Sequence, residues 1–125
     1  MSSPYSIAVT VKTQFLDEQS DPDHDKHLFA YFITIKNIGT MAAQLISRHW
    51  VILDSNGRVN EVRGLGVVGH QPTLQPGEEF QYQSGTPLET PVGTMKGSYQ
   101  MVAADGHKFD AEIAEFVLSM PRTLH

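Results

Sequence analysis

The chain contains no cysteine, so disulfides, thiolate metal sites and a cysteine nucleophile are all excluded. It contains no apolar run of about eighteen residues, the length a membrane-crossing helix requires, and no stretch repeats apolar residues at i, i+3, i+4 and i+7 as an amphipathic helix would. Basic residues are few: 9 lysines and arginines stand against 14 acidic residues, a net charge of -5. A broad cationic face for nucleic acid or an anionic membrane is therefore not expected. The first residues, Met1-Ser2-Ser3-Pro4-Tyr5, lack the basic start and long apolar core of an export signal. The expected compartment is the cytoplasm, which suits a chain without thiols. Reactive motifs are missing as well: there is no G-x-S-x-G, no H-E-x-x-H and no Walker lysine. Glu78 and Glu79 are adjacent, and on an extended strand adjacent side chains point to opposite faces and cannot share a proton. The expectation is a protein that is not an enzyme and carries no cofactor.

What remains is a chain of 125 residues, 40% apolar and 18% charged, of a size that fits one domain, residues 1–125, with a core of its own. Its pattern has the period of two that marks half-buried strands. Tyr5 to Phe15 places Ile7, Val9, Val11 and Phe15 on one side. Leu28 to Ile38 does the same with Phe29, Tyr31, Ile33 and Ile35, while Leu28 and Phe32 on the reverse predict that both faces are partly covered. Ala42 to Leu53 holds Trp50, the only tryptophan, which reads as a core anchor. His49 beside it reads as a hydrogen-bonded structural residue.

Asp54-Ser55-Asn56-Gly57 and Asp105-Gly106 supply hairpin turns. Glu79 to Ser84 and Thr94 to Val102 complete the alternating segments before Lys108–Leu118. In that last segment Phe109, Ala111 and Ile113 keep one frame and Phe116, Leu118 and Met120 the other, so a β-bulge is expected near Ala114–Glu115. Pro121 to His125 should be loose. About seven short strands separated by turns predict an all-β, antiparallel two-sheet sandwich, fibronectin type III-like or immunoglobulin-like. Gly97-Ser98-Tyr99-Gln100-Met101 resembles the tyrosine corner of such sandwiches.

The special backbone residues crowd into Val62 to Met101. Gly64, Gly66 and Gly69 spell G-x-G-x-x-G, but a dinucleotide fingerprint needs a helix immediately afterwards, and Pro72, Pro76 and Gly77 prevent one. Two readings are left. The glycines serve close packing, positive φ or a bulge. Alternatively, the loop Arg63, Gly64, Gly66, Gly69, His70 and Gln71 offers a partner surface, or a nest of free N–H groups for an anion such as pyrophosphate. A metal has one weaker alternative, a loop in which His24 and His27 stand with Asp21, Asp23 and Asp25; it has neither the EF-hand spacing nor the helical H-E-x-x-H geometry, Lys26 puts a like charge beside any cation, and a solvated acidic loop is the favoured reading.

Taken together, Arg48-His49-Trp50, Gly64-Leu65-Gly66-Val67-Val68-Gly69, Gln71-Pro72-x-Leu74-x-Pro76-Gly77-Glu78, Tyr82-x-Ser84-Gly85 and Thr90-Pro91-x-Gly93-x-Met95-x-Gly97-x-Tyr99-x-Met101 closely resemble the ApaG family, also called CorD, from about Tyr5 to Met120. The resemblance implies a fibronectin type III-like sandwich in a bacterial cytoplasmic protein, an association with cobalt resistance and magnesium efflux, and no established biochemical activity. Related eukaryotic domains look like partner-binding modules. The family brings no catalytic residues to carry over. The leading expectation is a non-enzymatic interaction module for an unidentified protein partner, presenting rigid loops Gly64–Gly77 and Ser84–Gly93, with a homodimer as a further arrangement and neither nucleic acid nor membrane as a partner. The rival is a binder or sensor of pyrophosphate-containing nucleotides or divalent cations.

Overall fold

Alternation of apolar and polar residues yields eight strands over residues 3–121, which the computed structural model describes. They are β1 (Ile7–Phe15), β2 (His27–Asn37), β3 (Ala43–Asp54), β4 (Val59–Leu65), β5 (Thr73–Leu74), β6 (Glu79–Leu88), β7 (Val92–Ala103) and β8 (Lys108–Ser119). One sheet has the order β1-β2-β6; the other has β4-β3-β7-β8, with the short β5 pairing to β3. All pairings are antiparallel. This is the fibronectin type III-like sandwich expected from the turns. The only helical pieces among the described residues are single 3-10 turns at Asp17–Gln19 and Pro22–His24. The tail expected to be loose lies, from Arg122 onward, outside the described residues.

The predicted frames meet in the core. Phe29, Ile33 and Ile35 of β2 face Leu45, Trp50, Met95, Tyr99, Met101, Ile113 and Leu118 of the second sheet, with Ile7, Val9 and Val11 packed at the margin. Trp50 is buried, as a core anchor should be, and takes Tyr99 and Phe116 edge-on, with ring centroids 6.4 and 5.9 Å away. The bulge also forms: Met95 pairs with Phe116 and Gly97 with Ile113, so Ala114 and Glu115 together oppose Lys96. The reverse face of β2 is less covered than its apolar residues suggested, since Phe32 is exposed.

Three readings need correction. Ser84 to Leu88 is not loop but the second half of β6, paired with β2 down to His27. Tyr99 makes no tyrosine corner: it lies in the second half of β7, and its hydroxyl sits 2.5 Å from that of Tyr82 on β6, joining the two sheets. His49 is not hydrogen-bonded, because its buried Nε2 has no partner and the nearest carboxylate, Glu61, is 3.7 Å away.

The connection from β2 to β3 is held by Asn37, which is 1% exposed. Its Nδ2 donates to the carbonyls of Met41 and Leu74, both at 2.9 Å, and its Oδ1 accepts the Gly39 N–H at 2.9 Å. Asn37→Leu keeps the volume, removes the Asn37 partner of the Met41 carbonyl and the Gly39 N–H, and takes one bond from the Leu74 carbonyl, which stays paired with Ala43. It should lower stability by about 3 kcal/mol in urea unfolding, since each unpaired buried group costs on the order of 1 kcal/mol or more. A loss below about 1 kcal/mol would mean that water replaces the amide.

Candidate functional site

The glycine-rich segment begins inside β4 and ends at β5. Arg63 and Gly64 are ordinary strand residues opposite His49 and Arg48. Gly64 leaves room for the Arg48 side chain: a Cβ there would stand 2.8 Å from Nη1 of Arg48 and would shift the guanidinium. The guanidinium lies across the strand and donates from Nη1 to the carbonyls of Leu65 and Gly66 at 3.0 and 2.9 Å.

Beyond β4 the chain makes a tight two-residue turn. Val67 and His70 exchange both backbone hydrogen bonds, at 2.8 and 2.9 Å, and the residues between them, Val68 and Gly69, have φ of 48° and 80°. Positive φ at both central positions is the signature of a type I′ reversal. Val67 is completely buried and plugs the core beneath the turn, whereas Val68 is 60% exposed at its tip.

A bulge on β3 anchors this turn to the sheet. Leu45 pairs with Met101 and Ser47 with Gln100, which leaves Ile46 as an extra residue. Its carbonyl accepts both the Gly66 N–H and the Gln71 Nε2, each at 2.8 Å. Gln44 adds a bond from Nε2 to the Gln71 carbonyl at 3.1 Å, and the Leu45 N–H donates to Pro72 at 3.0 Å. His70 rests beside Phe80 with ring centroids 5.7 Å apart. The candidate residues fall into different roles: Gly64, Gly66 and Gln71 belong to the frame, Gly69 and His70 flank the exposed tip, and Arg63 is an exposed residue of β4 outside the turn.

The N–H groups of Gly66, Val67 and His70 all go to backbone carbonyls. An anion nest needs successive N–H groups free and convergent, and these three donors are not free for one. No helix follows Gly69. The bland reading of the glycines accounts for them: Gly66 has φ of 63°, and a Cβ there would meet the His70 carbonyl oxygen at 2.4 Å.

The acidic loop does not gather its histidines. His24 is exposed and its Nδ1 lies 2.7 Å from Asp21 Oδ2. His27 is 2% exposed, and its Nδ1–H donates to the Leu88 carbonyl at 3.2 Å, which points the ring under β6. Asp25 turns the chain between them with φ of 57°. Among the described residues no three His, Asp or Glu side chains converge as metal ligands.

Two residues of consequence escaped the sequence reading. Arg48 reads as one more residue beside the tryptophan, and only the register shows that it points inward to lock the turn. Val68 reads as part of an apolar pair; its signal was a β-branched residue directly before Gly69, the position where a type I′ turn prefers asparagine or aspartate.

Comparison with known proteins places this arrangement. The ApaG domain family matches residues 17–103. Protein ApaG of Thiobacillus denitrificans is 66% identical over 97% of this chain and 95% of its own length, and Protein ApaG of Dechloromonas aromatica is 64% identical over 99% and 98%. The crystal structure of a Bordetella pertussis protein provisionally named ApaA superposes with a TM-score of 0.95 at 54% identity, covering 98% of this chain and all of that one. With the family match over residues 17–103 and relatives above 60% identical along nearly the whole chain, the chain belongs to the ApaG family.

Proposed function

We propose that this chain is a non-enzymatic, cytoplasmic protein-interaction module, and that the turn Val67–Gln71 is where its partner docks. The observation that carries the reading is Val68. A β-branched residue at positive φ is a genuine outlier, costing about 1–2 kcal/mol, and strain of this kind is kept where the surroundings over-determine it, which happens most often at binding sites. Here the frame is Arg48, Gln71, Gln44 and the Ile46 carbonyl, and the side chain held in place is an exposed isopropyl group with His70 beside it. A rigid apolar anchor loses little entropy when it enters a partner's pocket.

Catalysis receives no comparable support, since no acid, base and nucleophile converge around the turn. The link to cobalt resistance and magnesium efflux that the family resemblance implies would then run through the partner. Of the two loops expected to form the surface, only the one around Gly66–Gln71 serves, because Ser84–Leu88 is strand.

The test is Val68→Asn. Asparagine accepts positive φ, so the variant should be more stable than the native chain by about 1 kcal/mol in urea unfolding. In affinity capture from the native cytoplasm it should lose the partner, and His70→Ala should weaken the capture. A variant that gains stability and captures the same partner undiminished removes the turn from the interface. A variant that gains none removes the strain argument.

A further inference from the structure

The edge strand β4 carries a sequence that complements itself. Its hydrogen bonds to β3 are fixed at both ends: the Asp54 N–H donates to the Arg58 carbonyl, and the Gly66 N–H donates to Ile46. In an antiparallel ladder the bonded pairs alternate, so Asn60, Val62 and Gly64 direct their N–H and C=O groups to β3, whereas Val59, Glu61 and Arg63 direct theirs outward, where no strand lies. The same odd-numbered residues project their side chains from the outer face of the sheet, alongside Ser47, His49 and Val51.

An unpaired edge is a template for another strand unless something blunts it. The other open edge on this flank, β6, carries Pro87. Strand β4 carries no proline, and its residues Val59–Leu65 are exposed almost throughout.

We infer that β4 pairs antiparallel with β4 of a second copy of this chain about a two-fold axis at Val62, joining two five-stranded sheets into one continuous sheet. A two-fold contact is isologous, so each residue must meet its complement on the same strand. Only registers in which outward-bonding residues face each other can form. An axis at Glu61 would set Glu61 against itself, and an axis at Arg63 would set Arg63 against itself; like charges directly opposite repel. The axis at Val62 sets Glu61 against Arg63 twice, Val59 against Leu65 twice and Val62 against Val62. Axes at Asn60 or Gly64 keep the same parity but overlap only Val59–Glu61 or Arg63–Leu65, whereas the axis at Val62 pairs the whole of Val59–Leu65, so strand length and charge together select that register.

That register also covers exposed apolar surface. Leu65 is 75% exposed and Val59 55%, and each would lie against the other across the axis. Arg63 has no carboxylate within ion-pair distance among the described residues, so its guanidinium is available to the second copy. The inference is independent of the Val68 surface, because it uses the edge of β4 and leaves the Val67–Gln71 turn unchanged.

The experiment is sedimentation velocity from about 1 μM to about 1 mM, a range suited to a small edge-to-edge contact. The native chain should pass from monomer to dimer within it. Glu61→Arg and Arg63→Glu, applied singly, place like charges opposite each other twice per dimer and should each weaken association at least about tenfold. The double exchange Glu61→Arg with Arg63→Glu restores both pairs and should recover the dimer. All the altered side chains are exposed, so thermal unfolding should confirm that the variants fold. A native chain that stays monomeric at the highest concentration overturns the inference. So does a dimer that the single variants leave intact, or a double variant that fails to recover it.

Discussion

Gly97→Ala should cost about 3 kcal/mol or more and leave the chain close to unfolding, because inserted volume that strikes backbone cannot be absorbed by a rotamer change. A Cβ built on Gly97 would stand 2.1 Å from the carbonyl oxygen of His49, 3.1 Å from its carbon and 3.2 Å from the Cα of Trp50. All three atoms belong to the main chain of β3, which bonds β4, β5 and β7. On its other side β7 meets β8 at the bulge, where Ala114 and Glu115 oppose the single residue Lys96. Strand β7 therefore has no direction in which to retreat: moving from β3 compresses the bulged strand, and staying compresses the methyl. The loss should appear as a lower urea midpoint with the slope unchanged. A midpoint within error of the native value would show that the two strands are not held as close as the structure places them.

Alkaline pH should produce the second large effect. Burial, the largest cause, pushes the hydroxyls of both Tyr82 and Tyr99 far above the ordinary tyrosine range. The hydroxyl of Tyr99 also donates to or accepts from that of Tyr82, and the nearby Arg48 guanidinium works in the opposite direction without reversing the shift. An unfolded tyrosine releases its proton near pH 10, while the folded pair holds on to both. The raised pKa values thus contribute stability that is fully present below about pH 10 and is lost as the pH rises beyond it.

Each tyrosine removes about 1.4 kcal/mol per pH unit once the unfolded form titrates, and the pair about twice that. One and a half units removes about 4 kcal/mol, close to the lower end of the about 5–15 kcal/mol that stabilises an ordinary domain. Urea unfolding at about pH 9, 10 and 11 measures the slope. In Tyr99→Phe the slope should fall by about half, because one titrating group is gone. Stability below pH 9 should also drop by about 1–2 kcal/mol, as the Tyr82 hydroxyl loses its partner. A flat dependence to pH 11, or a slope that Tyr99→Phe leaves unchanged, would remove the two hydroxyls as its cause.

The bulge at Ala114–Glu115 and the bulge at Ile46 show where a sequence can be read and where it cannot. In β8 the polar partners Asp110 and Glu112 mark the outer face clearly, so the switch from Ile113 to Phe116 is visible as a change of parity. In β3 both faces are apolar: Leu45, Trp50 and Ile52 are buried, and Ile46, Val51 and Leu53 lie outside. Either frame passes for the inner one, and the extra residue leaves no mark. The end of β6 failed for a different reason. Gly85 and Pro87 suggest a loop, yet the Asn37 N–H bonds the Glu78 carbonyl, and counting from there places the Pro87 nitrogen on the side away from β2. An edge strand tolerates a missing donor on that side.

Within the candidate site, Gly66 and Gly69 were legible as turn residues, and Pro72 as the reason no helix follows. The sequence by itself determined most of the strands, the inner faces of β1, β2 and β8, and the hairpins at Asp54–Gly57 and Asp105–Gly106, because alternation and turn chemistry are local. Only the tertiary structure decided that the N–H groups of Gly66, Val67 and His70 are already bonded, that His27 turns inward away from His24, that Arg48 locks the turn, and that Val68 is held at positive φ with its side chain outside. Each of these depends on which residue stands opposite which across two strands, and a register shifted by one place reverses every face.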